Sequence, residues 1–369
     1  MNKIITFLVI FLMTFLYAGE IKKEFNVSSG GQLETDIRTG GSISIEGWDQ
    51  SKVQVIVNFR GSKLDEDINL DIDGSGDDVS ITVFAHGNSN SDLEFDVKVP
   101  RKYDLELKTM GGEIEVKGVE GKLEGETMGG NISLDALKGH AKFKTMGGNV
   151  EVNDSDVDGK VSTMGGNIVF RDVIGDMDGS TMGGNVTYNN QSRKGKDGKE
   201  VKISTMGGNI DVAEAMSGAD VSTMGGNIDI KKAADFIKAS TMGGNIDIKE
   251  INGWVKASTM GGDIDITMTG DPATGKRDVN ISSMGGDIDL TLPDGISAEF
   301  DVRITYTRKS SQDYEISSDF PLNIKEDEDW QYKNGDPHKD IIGTGKTGNG
   351  KNTIKVSTHN GDIRIRKGN

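Results

Sequence analysis

The sequence predicts an all-β chain: a parallel β-solenoid, single-stranded and β-helix-like, with coils of about 18 residues and irregular capping regions. Three observations predict it. The phrase Thr-Met-Gly-Gly-Asn-Ile, with small variations, occurs ten times between Thr109 and Ile288. Its methionines, Met110, Met128, Met146, Met164, Met182, Met206, Met224, Met242, Met260 and Met284, are 18 residues apart except for two steps of 24. Apolar residues alternate with polar ones on both sides of each phrase, which is the two-residue period of a strand.

Number each unit from its Met. Offsets +4 and +6 are apolar, as in Ile210/Val212, Ile228/Ile230, Ile246/Ile248 and Ile264/Ile266. Offsets −5, −3 and −1 are small or apolar, as in Val201/Ile203/Thr205, Ala219/Val221/Thr223 and Val255/Ala257/Thr259. Each unit is therefore two short strands and two turns. An antiparallel meander of these strands would leave one broad apolar face uncovered; a coil turns both strands inward onto a thin core. The two longer units carry their extra residues in polar, Gly-rich stretches, 189–200 and 267–278, which are expected to be extruded turns.

The chain divides into four parts. Residues 1–18 have a Lys3 start, an apolar run and a small Ala18, and read as a secretory signal peptide. Residues 19–108 alternate less regularly and are expected to form the first coils and a cap; Gly40-Gly41-Ser42-Ile43 is a worn copy of the phrase. Residues 109–290 are the regular array. Residues 291–369 hold an aromatic-rich insertion, expected to fold over the end or side of the stack, and a last coil at His359-Asn360-Gly361-Asp362-Ile363. There His replaces Met and Asn-Gly replaces Gly-Gly. The first substitution predicts that the Met side chains point outward; the second suggests that the corner needs positive φ.

Composition narrows the function. There is no Cys, so no disulfide or thiolate site exists. The net charge of −17 opposes binding to nucleic acid or anionic lipid. No later segment is apolar enough to span a membrane. The four His (His86, His140, His338 and His359) lack metal-ligand spacing, and Arg171, Arg193 and Arg277 are scattered. No catalytic residue and no cofactor is expected, because identical repeats do not supply the asymmetric acid and base that catalysis needs.

The order Ile43-Ser44-Ile45-Glu46-Gly47-Trp48-Asp49, the Thr-x-Gly-Gly-(Asp/Asn)-Ile phrases, Asp319-Phe320-Pro321-Leu322, Ile342-Gly343-Thr344-Gly345 and Thr358-His359-Asn360-Gly361-Asp362-Ile363 resembles the bacterial putative-adhesin family of β-strand-repeat domains of unknown function. The resemblance covers nearly all of the chain after residue 18. It implies a β-solenoid in an exported bacterial protein and brings no catalytic residues. The uniform Met before Gly-Gly departs from the family pattern.

Two columns are candidate sites. The ten methionines would form a soft apolar ladder for a partner, or each would simply cover its neighbour's Gly-Gly corner. A thioether Cu(I) site lacks a defined three- or four-ligand cluster. Asp229, Asp247, Asp263, Asp265, Asp287 and Asp289 would stack as like charges, weak Ca²⁺ ligands at best and otherwise a solvated acidic face, with Asn ladders bonding along the stack. The expected protein is an exported monomer in the periplasm, at the cell surface or outside the cell. Its expected partner is a surface polymer or an envelope protein. The alternatives are a β-helix protein that acts on or binds polysaccharide, and a Ca-stabilised structural spacer.

Overall fold

A computed structural model describes residues 18–60, 68–85, 92–189, 200–310, 313–332 and 336–368. The expected signal peptide up to residue 17, most of the first extruded turn, His86 and Arg193 lie outside the described residues, whereas Ala18, its expected last residue, begins the first strand. Within them the chain is all-β, with no helix, and its 31 strands join in one sheet that nearly closes on itself like a barrel around one apolar core.

The repeat sets the pairing. Ile132 lies beside Ile114 on one side and Val150 on the other, both in parallel register. The strand before each Met does the same: Val201 pairs with Ala219, and Ala219 with Ile237. Register survives both long units, with Val186 beside Ile210 and Ile264 beside Ile288. The two sets of strands face each other, and the strands Ile228–Ser240 and Ile246–Ser258 run through from one set into the other.

Inward columns fill the space between. Ile210, Ile228, Ile246, Ile264, Ile288 and Ile363 are all buried. Large residues sit against missing side chains: a Cβ on Gly125 would lie 2.5 Å from the Phe143 ring, and one on Gly179 2.7 Å from Phe170. The core is thin, so volume has to balance within and between adjacent coils.

The sheet is mixed, unlike the wholly parallel stack expected from the repeat. At the N-terminal end, Ser42–Trp48 joins the array parallel to Ile114–Lys117 and to Asp92–Pro100. Lys52–Arg60 then pairs antiparallel with Asp92–Pro100, and Ala18–Asn26 antiparallel with Lys52–Arg60. On the other face, Ile68–Ser75 pairs antiparallel with Asp78–Ala85. At the far end the last coil returns after a 75-residue excursion, Val279 beside Ile354 and Ile288 beside Ile363. Ala298–Thr307 lies parallel to Asn352–His359, and His338–Lys346 and Leu322–Glu326 follow antiparallel.

The physical reason is that the flanking segments have no copy one coil away to set a parallel register. Only Ile68–Ser75 and Asp78–Ala85 are joined by a tight turn; the other antiparallel partners come together from distant stretches of chain and end the stack. The outermost strands carry charge, with Glu20, Lys22, Lys23 and Glu24 at one end and Lys325 and Glu326 at the other, which disfavours further edge pairing. The C-terminal aromatics split: Phe300 and Phe320 are buried with ring centres 5.3 Å apart, while Tyr306, Tyr314 and Trp330 cluster beside them, half-buried.

The Gly-Gly corner differs from expectation. No glycine of the ten repeat corners has a left-handed φ; among the phrase and its copies only Gly40 and Asn360 do, at 84° and 49°. The left-handed position of the early coils is the opposite corner, at offset +8: Gly118, Ala136, Asp154 and Asp172, with φ of 68°, 54°, 48° and 52°. The second glycine of each phrase is required for another reason. A Cβ on Gly244 would lie 1.9 Å from the Gly226 carbonyl oxygen, and the same approach, within 2.2 Å, recurs from Gly112 to Gly361. The first glycine is open, which is why Asn360 fits there and Gly361 does not change.

Gly244→Ala should therefore cost about 1–3 kcal/mol in urea unfolding, as an overpacked contact does. Gly243→Ala, whose methyl would meet nothing nearer than 3.7 Å, should stay within about 0.5 kcal/mol.

Candidate binding surface

Each Met is held by its backbone and freed by its side chain. The Met206 carbonyl accepts the amides of Met224 (3.2 Å) and Gly225 (2.9 Å), and the Met224 carbonyl those of Met242 (3.2 Å) and Gly243 (3.0 Å). Successive methionines are thus fixed one strand spacing apart, about 4.8 Å. All ten side chains are exposed, from 38% at Met146 to 57% at Met284. They lie outside the core, in one column that ends at His359.

Under the ladder runs a column of buried hydroxyls. The Thr205 hydroxyl donates to the Gly184 carbonyl (2.9 Å) and accepts from the Gly208 amide (3.2 Å). Thr127, Thr145, Thr163, Thr181, Thr223, Thr241, Thr259 and Ser283 repeat both bonds. These residues look merely small and inward in the sequence. The available signal was that Ser283 is the sole variant in the array and keeps the hydroxyl.

The offset +3 column is also structural. From Asn131 onward the side-chain oxygen of each residue accepts the amide of its counterpart one coil on: Asn227 from Asn245 (2.9 Å), Asn245 from Asp263 (2.9 Å), Asp263 from Asp287 (2.9 Å) and Asp287 from Asp362 (2.8 Å). One oxygen each of Asp263 and Asp287 is therefore occupied by backbone.

The offset +5 column is where charge accumulates. Asp211, Asp229, Asp247, Asp265 and Asp289 lie side by side, and Arg364 follows. Partial burial, then the like charges of Asp211 and Asp247, raise the Asp229 carboxyl above its ordinary range. Burial and then Asp247 raise Asp265, with Lys249 offsetting part of the effect. Lys249 pairs with Asp247 at 2.5 Å. Arg366 reaches Asp289 Oδ1 at 3.2 Å, an ion pair without hydrogen-bond geometry, and Arg364 reaches Oδ2 at 3.6 Å. The six aspartates expected as weak Ca²⁺ ligands thus belong to two different columns. Among the described residues, no group of three or more His, Cys, Asp or Glu is placed to hold a metal ion.

Arg277 was read as one of several scattered arginines. It is buried and staples the second extruded turn: Nε donates to the Asp271 carbonyl (3.0 Å), Nη1 to the Thr269 carbonyl (2.7 Å) and Nη2 to Asn252 Oδ1 (2.7 Å). Burial lowers its pKa. His140 lies in the array, far from the other two; His338 and His359 are on the strands either side of Ala298–Thr307, opposite Thr307 and Thr305. Among the described residues, no helix is long and apolar enough to cross a membrane.

No protein-family model matches the sequence, and no curated relative does. Three solved structures are similar to it in part. A "putative cell adhesion protein" from Clostridium sporogenes is 11% identical, covering 95% of this chain and 100% of its own, with a TM-score of 0.21. A "putative adhesin" from Parabacteroides distasonis is 18% identical, covering 71% and 97%, with a TM-score of 0.34. A "putative lipid binding protein" from the same organism is 14% identical, covering 73% and 96%, also at 0.34. Overlaps this loose transfer neither architecture nor activity to the chain.

Three predictions test the columns. Thr223→Val removes a hydroxyl and leaves the Gly208 carbonyl without it in a buried site, so unfolding should be easier by about 1–3 kcal/mol, with Thr223→Ser much milder. The raised carboxyls at Asp229 and Asp265 favour folding most when protonated, and that contribution is lost as pH rises through their raised values. Asp265→Asn should therefore raise the melting temperature near pH 7 and change it little near pH 3; an equal gain at both would show that repulsion is not the cause. Calcium should leave the wild-type melting temperature flat, and a saturable rise would restore these aspartates as ligands.

Proposed function

We propose that this chain is an exported, non-enzymatic β-solenoid of the adhesin type, binding a surface polymer or an envelope protein along its repeated outer face. The observation that carries the reading is the Met ladder: ten exposed thioether side chains in one column, with backbone hydrogen bonds joining successive coils from Met128 to Met242. An exposed apolar strip of this extent on an otherwise charged surface is a contact surface. A solenoid suits the task because each added coil extends the same face without a new core.

The non-enzymatic part of the reading is supported by where the carboxylates go. In the later coils of the regular array they form columns, Asp263 and Asp287 bonded to the next coil's backbone and Asp211, Asp229, Asp247, Asp265 and Asp289 set beside their own copies. Such a surface favours many equal weak contacts over one reacting centre. Export is supported by the apolar, Lys3-led start of the sequence.

The combined substitution Met206→Ser, Met224→Ser and Met242→Ser tests the surface. Attachment of the purified chain to cells or to an immobilised envelope polymer should fall at least about tenfold, as when a central apolar patch is removed. The melting temperature should barely move, because these side chains lie outside the core. Undiminished attachment would remove the ladder as the binding surface.

A further inference from the structure

We infer that adjacent methionines of the ladder form a row of two-coordinate sites for a soft monovalent metal cation, Cu(I) or Ag(I), with each cation bridging the thioethers of neighbouring coils. The argument goes beyond attachment to a partner and does not depend on it.

It starts from what varies between coils. At the buried offset +6 the repeats carry Val, Leu, Phe, Tyr or Ile. At the exposed offset zero they carry Met in all ten copies. A position more than a third exposed is under little packing constraint, so packing does not require the same side chain in every copy. Covering a Gly-Gly corner or presenting an apolar strip would be served as well by Leu, which matches Met closely in volume. What Leu lacks is the sulfur.

The geometry then fits the ion. Bonds from protein sulfur to metal are roughly 2.3 Å long, so a cation held in line between two sulfurs needs them about 4.6 Å apart. Backbone hydrogen bonds from Met206 to Met224 and from Met224 to Met242 hold successive residues at one strand spacing, about 4.8 Å. Met has three rotatable side-chain bonds with which to close the difference. No cluster of three or four ligands is needed, because the repeat itself brings pairs together.

The chemistry selects the cation. Neutral thioethers are soft ligands that suit Cu(I) and compete poorly for Ca²⁺, Mg²⁺ or Zn²⁺. The chain has no Cys to capture a soft metal first, and its net charge of −17 attracts cations. The column ends in His359, in the place of Met, which would give the last pair, Met284 and His359, one sulfur and one nitrogen.

The molecule also carries its own controls. Met216 is 55% exposed but stands outside the ladder, and Met177 and Met268 are buried. The test uses the chain from residue 19 onward with ¹³C-methyl-labelled methionine, titrated with Ag(I), and with Cu(I) under ascorbate without oxygen. The ladder methyl resonances should shift saturably, and those of Met216, Met177 and Met268 should not. A decisive variant changes Met128, Met164, Met206, Met242 and Met284 to Leu. Five sulfurs remain, but each is two coils from the next. Pairwise sites predict that affinity collapses at least about tenfold; independent thioethers predict the same affinity with half the capacity. An unchanged melting temperature in the variant shows that the stack is intact. Equal shifts at Met216, or a mere halving of capacity, would overturn the inference.

Discussion

The contact on which the stack depends is a carbonyl oxygen lodged where a side chain would otherwise begin. In each coil the second glycine of the phrase turns its carbonyl toward the coil that follows. There it meets the bare α-carbon of the next glycine and the hydroxyl of the next Thr. A methyl group at that place would push the coils apart. Without the hydroxyl, the carbonyl would be buried with one partner fewer, a loss comparable to about 1–3 kcal/mol. Thr and Gly therefore act as one device, repeated from Thr109 with Gly41 to Thr358 with Gly286. With the spacing held there, the isoleucines fall inward, the asparagines reach the next amide, and the methionines are left outside.

Stacking identical coils also stacks identical charges, and the array handles this differently along its length. Where offset +3 is Asn, a neutral amide oxygen serves the next backbone amide. Where it becomes Asp, at Asp263 and Asp287, the same bond is kept and a charge is added. At offset +5 the aspartates repel one another, and Lys249, Arg364 and Arg366 offset part of that. The arginines stand at the end of the column, where the last coil closes it. The Met ladder carries no charge at all, so its extension by further coils meets no such opposition.

Much of the architecture was legible because a parallel in-register ladder makes sequence period and spatial neighbour the same thing. The spacing of Met206, Met224 and Met242 is enough to place Ile210 beside Ile228 and Asp229 beside Asp247. The outward Met was legible from His359. The role of Thr was not, since Thr223 at an inward position reads equally as a small filler. The reason for Gly-Gly was misread from Asn360, a corner whose left-handed φ the ten regular corners do not share. Arg277 was hidden for a different reason: its three acceptors, Thr269, Asp271 and Asn252, belong partly to a coil 25 residues away and follow no period.

The sequence by itself determined the strand period, the coil length, the inward and outward faces and the columns, because each of these is a property of one repeat set against its copy. Tertiary structure decided how the repetition stops. Antiparallel strands at both ends, the return of the chain from Ile288 to Ile363, and the burial of Arg277 all arise between segments that share no repeat. Pairing energies there depend on which edge is free and which side chain fills it, and no internal copy exists from which to read the answer.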